Sequence, residues 1–145
     1  MVRFAQGIYS VRNPEKYIGK NKPKYRSSWE LHVMSFFDTS KGVLTWASES
    51  IAIPYRNPLT GKISQYIPDF FVNYVDKNGK QFAEVIEVKP SSQTSLTEAR
   101  SKHDQLHAVV NMAKWNSAKL WCKQQGFGFR VISEKDIFHT GTKKR

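Results

Sequence analysis

The sequence is poor in cysteine, in long apolar runs and in acidic residues. Its 145 residues include one cysteine, Cys122, which cannot form a disulfide within the chain and therefore fits a reducing compartment. No apolar run approaches the roughly 20 residues that a membrane-spanning helix needs, and the N-terminus has no apolar signal-peptide core. We therefore expect a protein that stays in the compartment where it is made and has no membrane partner.

The shortage of acid leaves a strongly basic chain. Asp and Glu number 12 against 23 Lys and Arg, which gives a formal net charge of +11 and a pI near 9.8. Such excess charge repels itself unless an oppositely charged partner is bound, so this balance predicts a polyanion. Because no basic amphipathic helix stands out, nucleic acid is favoured over a membrane surface. The alternative is a basic protein that is merely soluble.

Much of the positive charge lies at the start of the chain. Residues 1–26 contain one acid, Glu15, and seven bases. Glycines and prolines interrupt regular structure there, whereas interspersed aromatic and aliphatic residues make the segment too apolar for a free tail. We predict that residues 1–26 form a basic arm that packs on the domain and meets phosphates. A packed extension whose charges are only solvated is the alternative.

The segment 27–30, Ser-Ser-Trp-Glu, marks the start of a helix. Ser followed three residues later by Glu is a capping box, with Ser27 as the N-cap and Glu30 at the third helical position. The helix is predicted to end between residues 38 and 42. Its apolar stripe at helical spacing comprises Trp29, Val33, Phe36 and Phe37. Short strands are predicted over 44–48 and 50–55, followed by a loop over 56–62.

A β-hairpin over residues 66–90 carries the candidate chemistry. Its two apolar runs flank Asn78-Gly79, and Asn-Gly in this setting is a strong hairpin signal. The pairing places Asp69 near the start of the first strand, and Glu87 with Lys89 near the end of the second, so all three lie at one end. Because side chains alternate, Glu87 and Lys89 share a face. Two acids this close repel each other unless a cation neutralises them, and hard oxygen ligands suit Mg²⁺.

Pro68 and Glu84 flank this constellation. Pro68 cannot donate to a strand ladder, so it suits an edge, a strand start or a bulge, and a bulge would re-aim Asp69. Glu84 lies three positions before Glu87 and hence on the opposite face, where we predict a surface or salt-bridged role.

The second half of the chain predicts a long helix and a last strand. A helical pattern covers roughly residues 97–125, in one piece or two, and Gly126 follows as a C-cap glycine. A strand over 127–132 and a short turn capped by Ser133 complete a domain predicted to span 27–138, and 139–145 form a basic tail. His103 and His107 share one helical face, as a zinc pair would. No further ligand pattern supports zinc, so a solvated or DNA-facing pair is favoured.

The residues Pro68-Asp69 and Glu87-Val88-Lys89 together resemble the PD-(D/E)XK nuclease superfamily. The order helix, three strands, helix, strand is that superfamily's common core. The resemblance covers about residues 25–138 and implies an α/β (α+β) restriction-endonuclease-like fold, with a mixed central sheet flanked by helices. The C-terminal part is also similar to the nuclease subunit of Tn7-type transposases. The whole chain, from its opening Arg-Phe-Ala-Gln-Gly, is similar to the head-completion nucleases of T4-like tailed phages.

The resemblance implies a metal-dependent DNA endonuclease. Asp69 and Glu87 would hold Mg²⁺, or Mn²⁺ in its place, together with the backbone carbonyl of Val88. Glu30 would add a further acid to the site, and this role does not exclude its capping role. Lys89 would orient the attacking water or stabilise phosphate charge rather than act as the base, because the neighbouring acids favour its charged form.

Contacts with double-stranded DNA are expected from basic residues of the arm, of the 56–62 loop and near the start of the long helix. They are Arg3, Arg12, Lys20, Lys22, Lys24, Arg26, Arg56, Lys62, Arg100 and Lys102. The resemblance places the activity in phage head completion, in the cytoplasm of the infected bacterium or on the virion. One alternative is a non-catalytic head-completion factor that binds DNA and portal proteins. Another is a transposase nuclease subunit or junction resolvase. A homodimer is left open, because each chain has one predicted site.

Overall fold

A four-stranded mixed sheet forms the centre of the protein. The computed structural model describes residues 6–91 and 101–136. The elements are β1 Gly7–Ile8, a 3₁₀ turn Pro14–Lys16, β2 Lys24–Tyr25, α1 Ser28–Thr39, β3 Val43–Ser48, β4 Ile53–Arg56, β5 Ile63–Tyr66, β6 Phe70–Val75, β7 Gln81–Val88, α2 Lys102–Gln125 and β8 Gly128–Ile132. The central order is β3-β6-β7-β8, in which β8 alone runs parallel to its neighbour. The predicted restriction-endonuclease-like α/β fold is confirmed.

Helix α1 begins as its capping residue predicts. The Oγ of Ser27 accepts a hydrogen bond from the Glu30 N–H at 3.2 Å. The reciprocal bond differs from the prediction, because Glu30 Oε1 accepts from the N–H of Arg26 at 3.0 Å rather than from that of Ser27. The predicted stripe is wrong at Phe36, which is 49% exposed. The helix instead turns the arc that contains Met34 inward, and this side chain is fully buried.

Asp38, at the end of α1, holds the described part of the basic arm. Its carboxylate accepts hydrogen bonds from Tyr9 Oη at 2.7 Å and from the N–H groups of Arg12 and Asn13 at 2.7 and 3.0 Å. Burial alone would raise the pKa of Asp38, but these donors favour the charged form and hold its pKa below the ordinary value. The arm segment therefore packs on α1. The boundaries at residues 26 and 138 stay a prediction.

Apolar side chains cover both faces of the sheet. On the α1 face, Trp46 is fully buried, and the Phe37 and Phe70 rings meet edge to face with centroids 5.4 Å apart. On the α2 face, residues of the β4–β5 hairpin pack against Trp115 and Ala118. Because alternate residues of β7 serve the two faces, Ile86 and Val88 join the α1 core while Glu87 points to the α2 side.

The first strand of the predicted 66–90 hairpin does not continue from Tyr66 as one element. The chain forms β5, which pairs with β4 in a separate hairpin, and then β6, which enters the central sheet. Pro68 lies buried in the break between them, where no ladder needs its missing N–H. The bulge occurs elsewhere, between Val43 and Thr45 of β3. The position of Asp69 is thus set by the interruption between β5 and β6 and not by a bulge.

Helix α2 is one continuous element from its N-cap, Ser101, to a C-cap glycine. Gly126 has φ 82°, a left-handed conformation that favours glycine, as predicted. The predicted closing turn begins at Ser133, whose N–H donates to Asp136 Oδ2 at 2.9 Å. Its apolar residues, Ile137 and Phe138, the tail 139–145 and the predicted helix start at 97–100 lie outside the described residues. Among the described helices, none is long and apolar enough to cross a membrane.

Candidate active site

The β6–β7 hairpin brings the predicted acids together. Its register pairs Phe70 with Ile86, so Asp69, the residue just before β6, and Glu87, the residue after Ile86 in β7, lie at the same end. The turn at the other end is fixed by Asp76, whose Oδ1 accepts the N–H groups of Asn78 and Lys80 at 2.9 Å each. The sequence prediction of a hairpin with clustered charges at its open end is confirmed.

Reciprocal hydrogen bonds hold the two carboxylates beside each other. Glu87 Oε1 accepts from the Asp69 N–H at 3.2 Å, and Asp69 Oδ2 accepts from the Val88 N–H at 2.8 Å. Tyr66 Oη also donates to Glu87 Oε1, at 2.9 Å. Among residues 6–91 and 101–136, no hydrogen bond reaches the second oxygen of either acid. Glu87 Oε2 lies 3.7 Å from Lys89 Nζ, which confirms that these side chains share a face.

The site concentrates negative charge in a poorly solvated place. Burial, and then the charges of Glu87 and Glu30, raise the pKa of Asp69 well above its ordinary value. Burial also raises the pKa of Glu87, which is 5% exposed, although Lys89 opposes the shift. Because ionisation of Asp69 and Glu87 is unfavourable in this surrounding, a neighbouring cation is needed to stabilise their charged forms.

The donor set fits a hard divalent cation. The backbone N–H of Lys89 donates to Ile132 O at 2.9 Å, so it points toward β8. Because neighbouring residues of a strand point their backbone groups to opposite sides, the N–H and the carbonyl of Val88 point away from β8, toward Asp69. Pro68 on that side has no N–H to offer this carbonyl. Mg²⁺ commonly takes one or two carboxylates and completes its shell with water and phosphate oxygens. Within the described residues, no three His, Cys, Asp or Glu side chains form a ready metal cage.

Glu30 approaches the acid pair from the start of α1. Its negative charge contributes to the raised pKa of Asp69, and burial raises its own pKa. Glu30 is therefore near the pair without forming a three-acid cage with it. Glu49 is a further acid nearby that the sequence did not single out. It pairs with Arg26 and donates its backbone N–H to Asp69 O at 2.9 Å.

The bases predicted to contact DNA are exposed wherever they fall within the described residues. These are Arg12, Lys20, Lys22, Lys24, Arg26, Arg56, Lys62 and Lys102. Two of their side chains have partners within the described residues, because Arg26 pairs with Glu49 and Arg56 Nη1 donates to Gly61 O at 2.7 Å. Arg3 and Arg100 lie outside the described residues.

Tyr66 and Lys114 belong to the site, although the sequence analysis did not select them. Lys114 Nζ lies 5.6 Å from the centroid of the Tyr66 ring, whose hydroxyl bonds Glu87. Burial and the charge of Lys89 lower the pKa of Lys114, while Glu87 opposes this shift. The only sequence signal was the helical spacing that aligns Lys114 with Asn111 and Ala118, and this spacing does not show which side of α2 faces the sheet.

The predictions for Glu84 and for the His103–His107 pair can now be compared with the structure. Glu84 forms the predicted salt bridge, with its Oε1 2.9 Å from Arg130 Nη2 across to β8. His103 and His107 are both exposed, and their Nε2 atoms lie 3.1 Å apart. They join no three-residue metal cluster in the described part of the chain.

A mixed sheet with a half-buried acid beside a buried one, and an adjoining lysine, at the open end of its hairpin defines a nuclease fold of the PD-(D/E)XK type. Residues 40–134 match the TnsA-like endonuclease N-terminal family. The chain is also 30% identical to the head completion nuclease of Enterobacteria phage T4 over 148 residues, covering 94% of this chain and 96% of that protein. The protein belongs to the TnsA-like endonuclease family, which confirms the sequence resemblance and supports a nuclease role.

Proposed function

We propose that the protein is a Mg²⁺-dependent endonuclease that hydrolyses phosphodiester bonds in double-stranded DNA. The observation that carries this proposal is the neighbouring pair Asp69–Glu87, in which one oxygen of each carboxylate accepts hydrogen bonds while no hydrogen bond from the described residues reaches the other oxygen. Family membership supports the reaction class, and the net charge of +11 supports a polyanionic substrate.

The residues divide the work of hydrolysis. Asp69, Glu87 and the Val88 carbonyl hold the metal ion, which supplies Lewis-acid polarisation of the phosphate and activation of a water. Tyr66 fixes the Glu87 carboxylate through its hydroxyl. Lys89 positions the attacking water or neutralises charge that develops on the phosphate. Glu30 adds negative charge beside Asp69 and strengthens the preference for a cation.

A cleavage assay with matched variants tests this proposal. Supercoiled plasmid is incubated with protein in Mg²⁺, in Mn²⁺ and in EDTA. Wild type should cleave only with metal, whereas Asp69→Ala and Glu87→Gln should fall to the EDTA background while remaining folded. Glu84→Gln removes a carboxylate from the same strand outside the site and should cleave like wild type. Metal-dependent cleavage by purified Asp69→Ala would remove the acid pair from the mechanism.

The biological setting we propose is phage head completion. It is supported by similarity to a head completion nuclease over nearly the full length of both chains. The protein would then act in the cytoplasm of the infected bacterium or on the virion, next to portal proteins, and cutting both strands would call for a homodimer. Complementation of a phage that lacks its head completion nuclease is the test, with Asp69→Ala as the control. Rescue only together with a partner transposase would point instead to a transposase subunit.

The exposed bases support a second candidate, a head-completion factor that binds DNA without cutting it. This candidate predicts salt-sensitive binding and complementation that survives Asp69→Ala. It separates from the first in the same plasmid assay, since its protein leaves the DNA intact in Mg²⁺.

A further inference from the structure

Lys114 occupies an unusual place for a lysine. The residues His107, Asn111, Lys114 and Ala118 are spaced by four, three and four positions, so they form one stripe of α2. Asn111 and Ala118 are buried on either side of Lys114. Lys114 therefore lies at the border of the face that α2 turns to the sheet, and it places an ammonium group beside buried residues.

The surroundings of this ammonium group are aromatic rather than acidic. Lys114 Nζ lies 5.6 Å from the Tyr66 ring centroid and 5.8 Å from that of Tyr55. Within the described part of the chain, no carboxylate lies within the 4.0 Å of an ion pair with it. Ring faces attract a cation but do not replace an anion. Burial lowers the pKa of Lys114, which reflects this incomplete compensation.

Lys114 also lies in the field of the proposed active site. Its charge interacts with those of Lys89 and Glu87. Burial and the charge of His103 lower the pKa of His107, and the charges of Lys89 and Lys114 add to this shift. Lys89 Nζ lies 3.7 Å from Glu87 Oε2, and Lys114 lies beside the Tyr66 ring whose hydroxyl bonds Glu87, so positive groups from the end of β7 and from α2 lie near the acid pair. With a divalent ion neutralising Asp69 and Glu87, Lys89 and Lys114 would remain as the local excess charge. That excess suits a phosphodiester, whose negative charge grows during attack by water.

We propose that Lys114 is a phosphate-binding residue, which together with Lys89 grips the backbone of the bound DNA strand on the α2 side of the acid pair. This inference rests on the proposed DNA substrate but not on cleavage. A DNA strand bound between β7 and α2 would be positioned relative to Asp69 and Glu87 by the ammonium groups of Lys89 and Lys114. A purely structural role, in which Lys114 only packs against Tyr66, is the alternative that the experiment must separate.

The experiment measures the salt dependence of binding. A fluorescent duplex of random sequence is titrated with wild type, Lys114→Gln, Lys114→Arg and Lys123→Gln in EDTA and again in Ca²⁺, over a range of salt concentrations. Lys123 is exposed on the opposite face of the same helix and provides the matched loss of charge. The slope of log affinity against log salt should become shallower by about 0.9 for Lys114→Gln, because one phosphate contact is lost.

The matching loss of affinity is about eightfold in 0.1 M salt. Lys114→Arg should keep the wild-type slope, and so should Lys123→Gln. Equal slopes for Lys114→Gln and Lys123→Gln in both buffers would overturn the proposal, even if Lys114→Gln lowered the melting temperature. A wild type with the Lys114-dependent slope but no cleavage leaves this inference standing and refutes the proposed function. If wild type cleaves DNA but its salt slope does not depend on Lys114, the proposed function stands and this inference is refuted.

Discussion

Asp69→Asn isolates the cost of keeping the acid pair charged. The amide retains an oxygen that can accept the 2.8 Å hydrogen bond from the Val88 N–H, but it removes the charge that interacts with Glu87 and Glu30. Without metal, we expect the variant to be more stable than wild type by about 0.5–2 kcal/mol, the range typical of a single stabilising substitution. In a chain of this size, such a gain raises the melting temperature by roughly 1–8 °C.

Mg²⁺ should reverse that order. A ligand that binds only the folded state at 100 times its Kd adds about 2.7 kcal/mol, or roughly 5–11 °C in melting temperature, to wild type. Asp69→Asn lacks a ligand and should gain little. Calorimetry in EDTA and in Mg²⁺ measures both quantities, with Glu84→Gln as the control. The reasoning is refuted if Asp69→Asn melts no higher than wild type in EDTA and gains as much from Mg²⁺.

The same calorimetry has a definite pH dependence. Because the pKa values of Asp69 and Glu87 are raised in the folded chain, it binds more protons than the unfolded chain from about pH 4 up to those raised values. The free energy of unfolding in EDTA should therefore fall as pH rises through that window, and less steeply for Asp69→Asn. Cleavage in Mg²⁺ should rise over the same window, because the ligands must lose their protons to bind metal.

Three further changes have distinct expected results. Tyr66→Phe removes the hydroxyl that fixes Glu87 and should lower metal affinity or cleavage by roughly 10–100-fold, as measured by Mg²⁺ titration of the cleavage rate; unchanged Mg²⁺ dependence would contradict this role. Asp38→Ala removes the acceptor of three hydrogen bonds, so the free energy of unfolding in urea should fall by roughly 3 kcal/mol and proteolysis at Arg12 should become faster. A fall below about 0.5 kcal/mol, which is typical of surface changes, would show that other contacts hold the arm. Gly126→Ala forces a side chain into a left-handed conformation and should cost about 1–2 kcal/mol while cleavage by the folded fraction is unchanged.

The hairpin was predictable because its determinants are local. Asn78-Gly79 between apolar runs specifies the turn, and the side-chain alternation of a strand then places Glu87 and Lys89 together. The N-cap at Ser27 and the C-cap at Gly126 are equally local, and both are confirmed.

The contributions from distant elements were not predictable in this way. Lys114 enters the site because the β4–β5 hairpin packs under α2 and carries Tyr55 and Tyr66 to it, which no pattern within α2 specifies. The helical period fixes which residues share a stripe, but not which stripe faces the sheet, and Phe36 was misplaced for this reason. The split of β5 from β6 depends on a tertiary choice of partners on either side of Pro68.

The parallel pairing of β7 with β8 has a consequence for synthesis. The strand that bears Glu87 is bordered on one side by its hairpin partner, but its other border is the segment Gly128–Ile132, which follows the 24-residue α2. During translation, β7 is synthesised some forty residues before β8, so in the nascent chain the edge of β7 that will pair with β8 is still unpaired. The border of the strand that bears Glu87 is therefore completed only after Gly128–Ile132 has been synthesised, which delays formation of the site until that point.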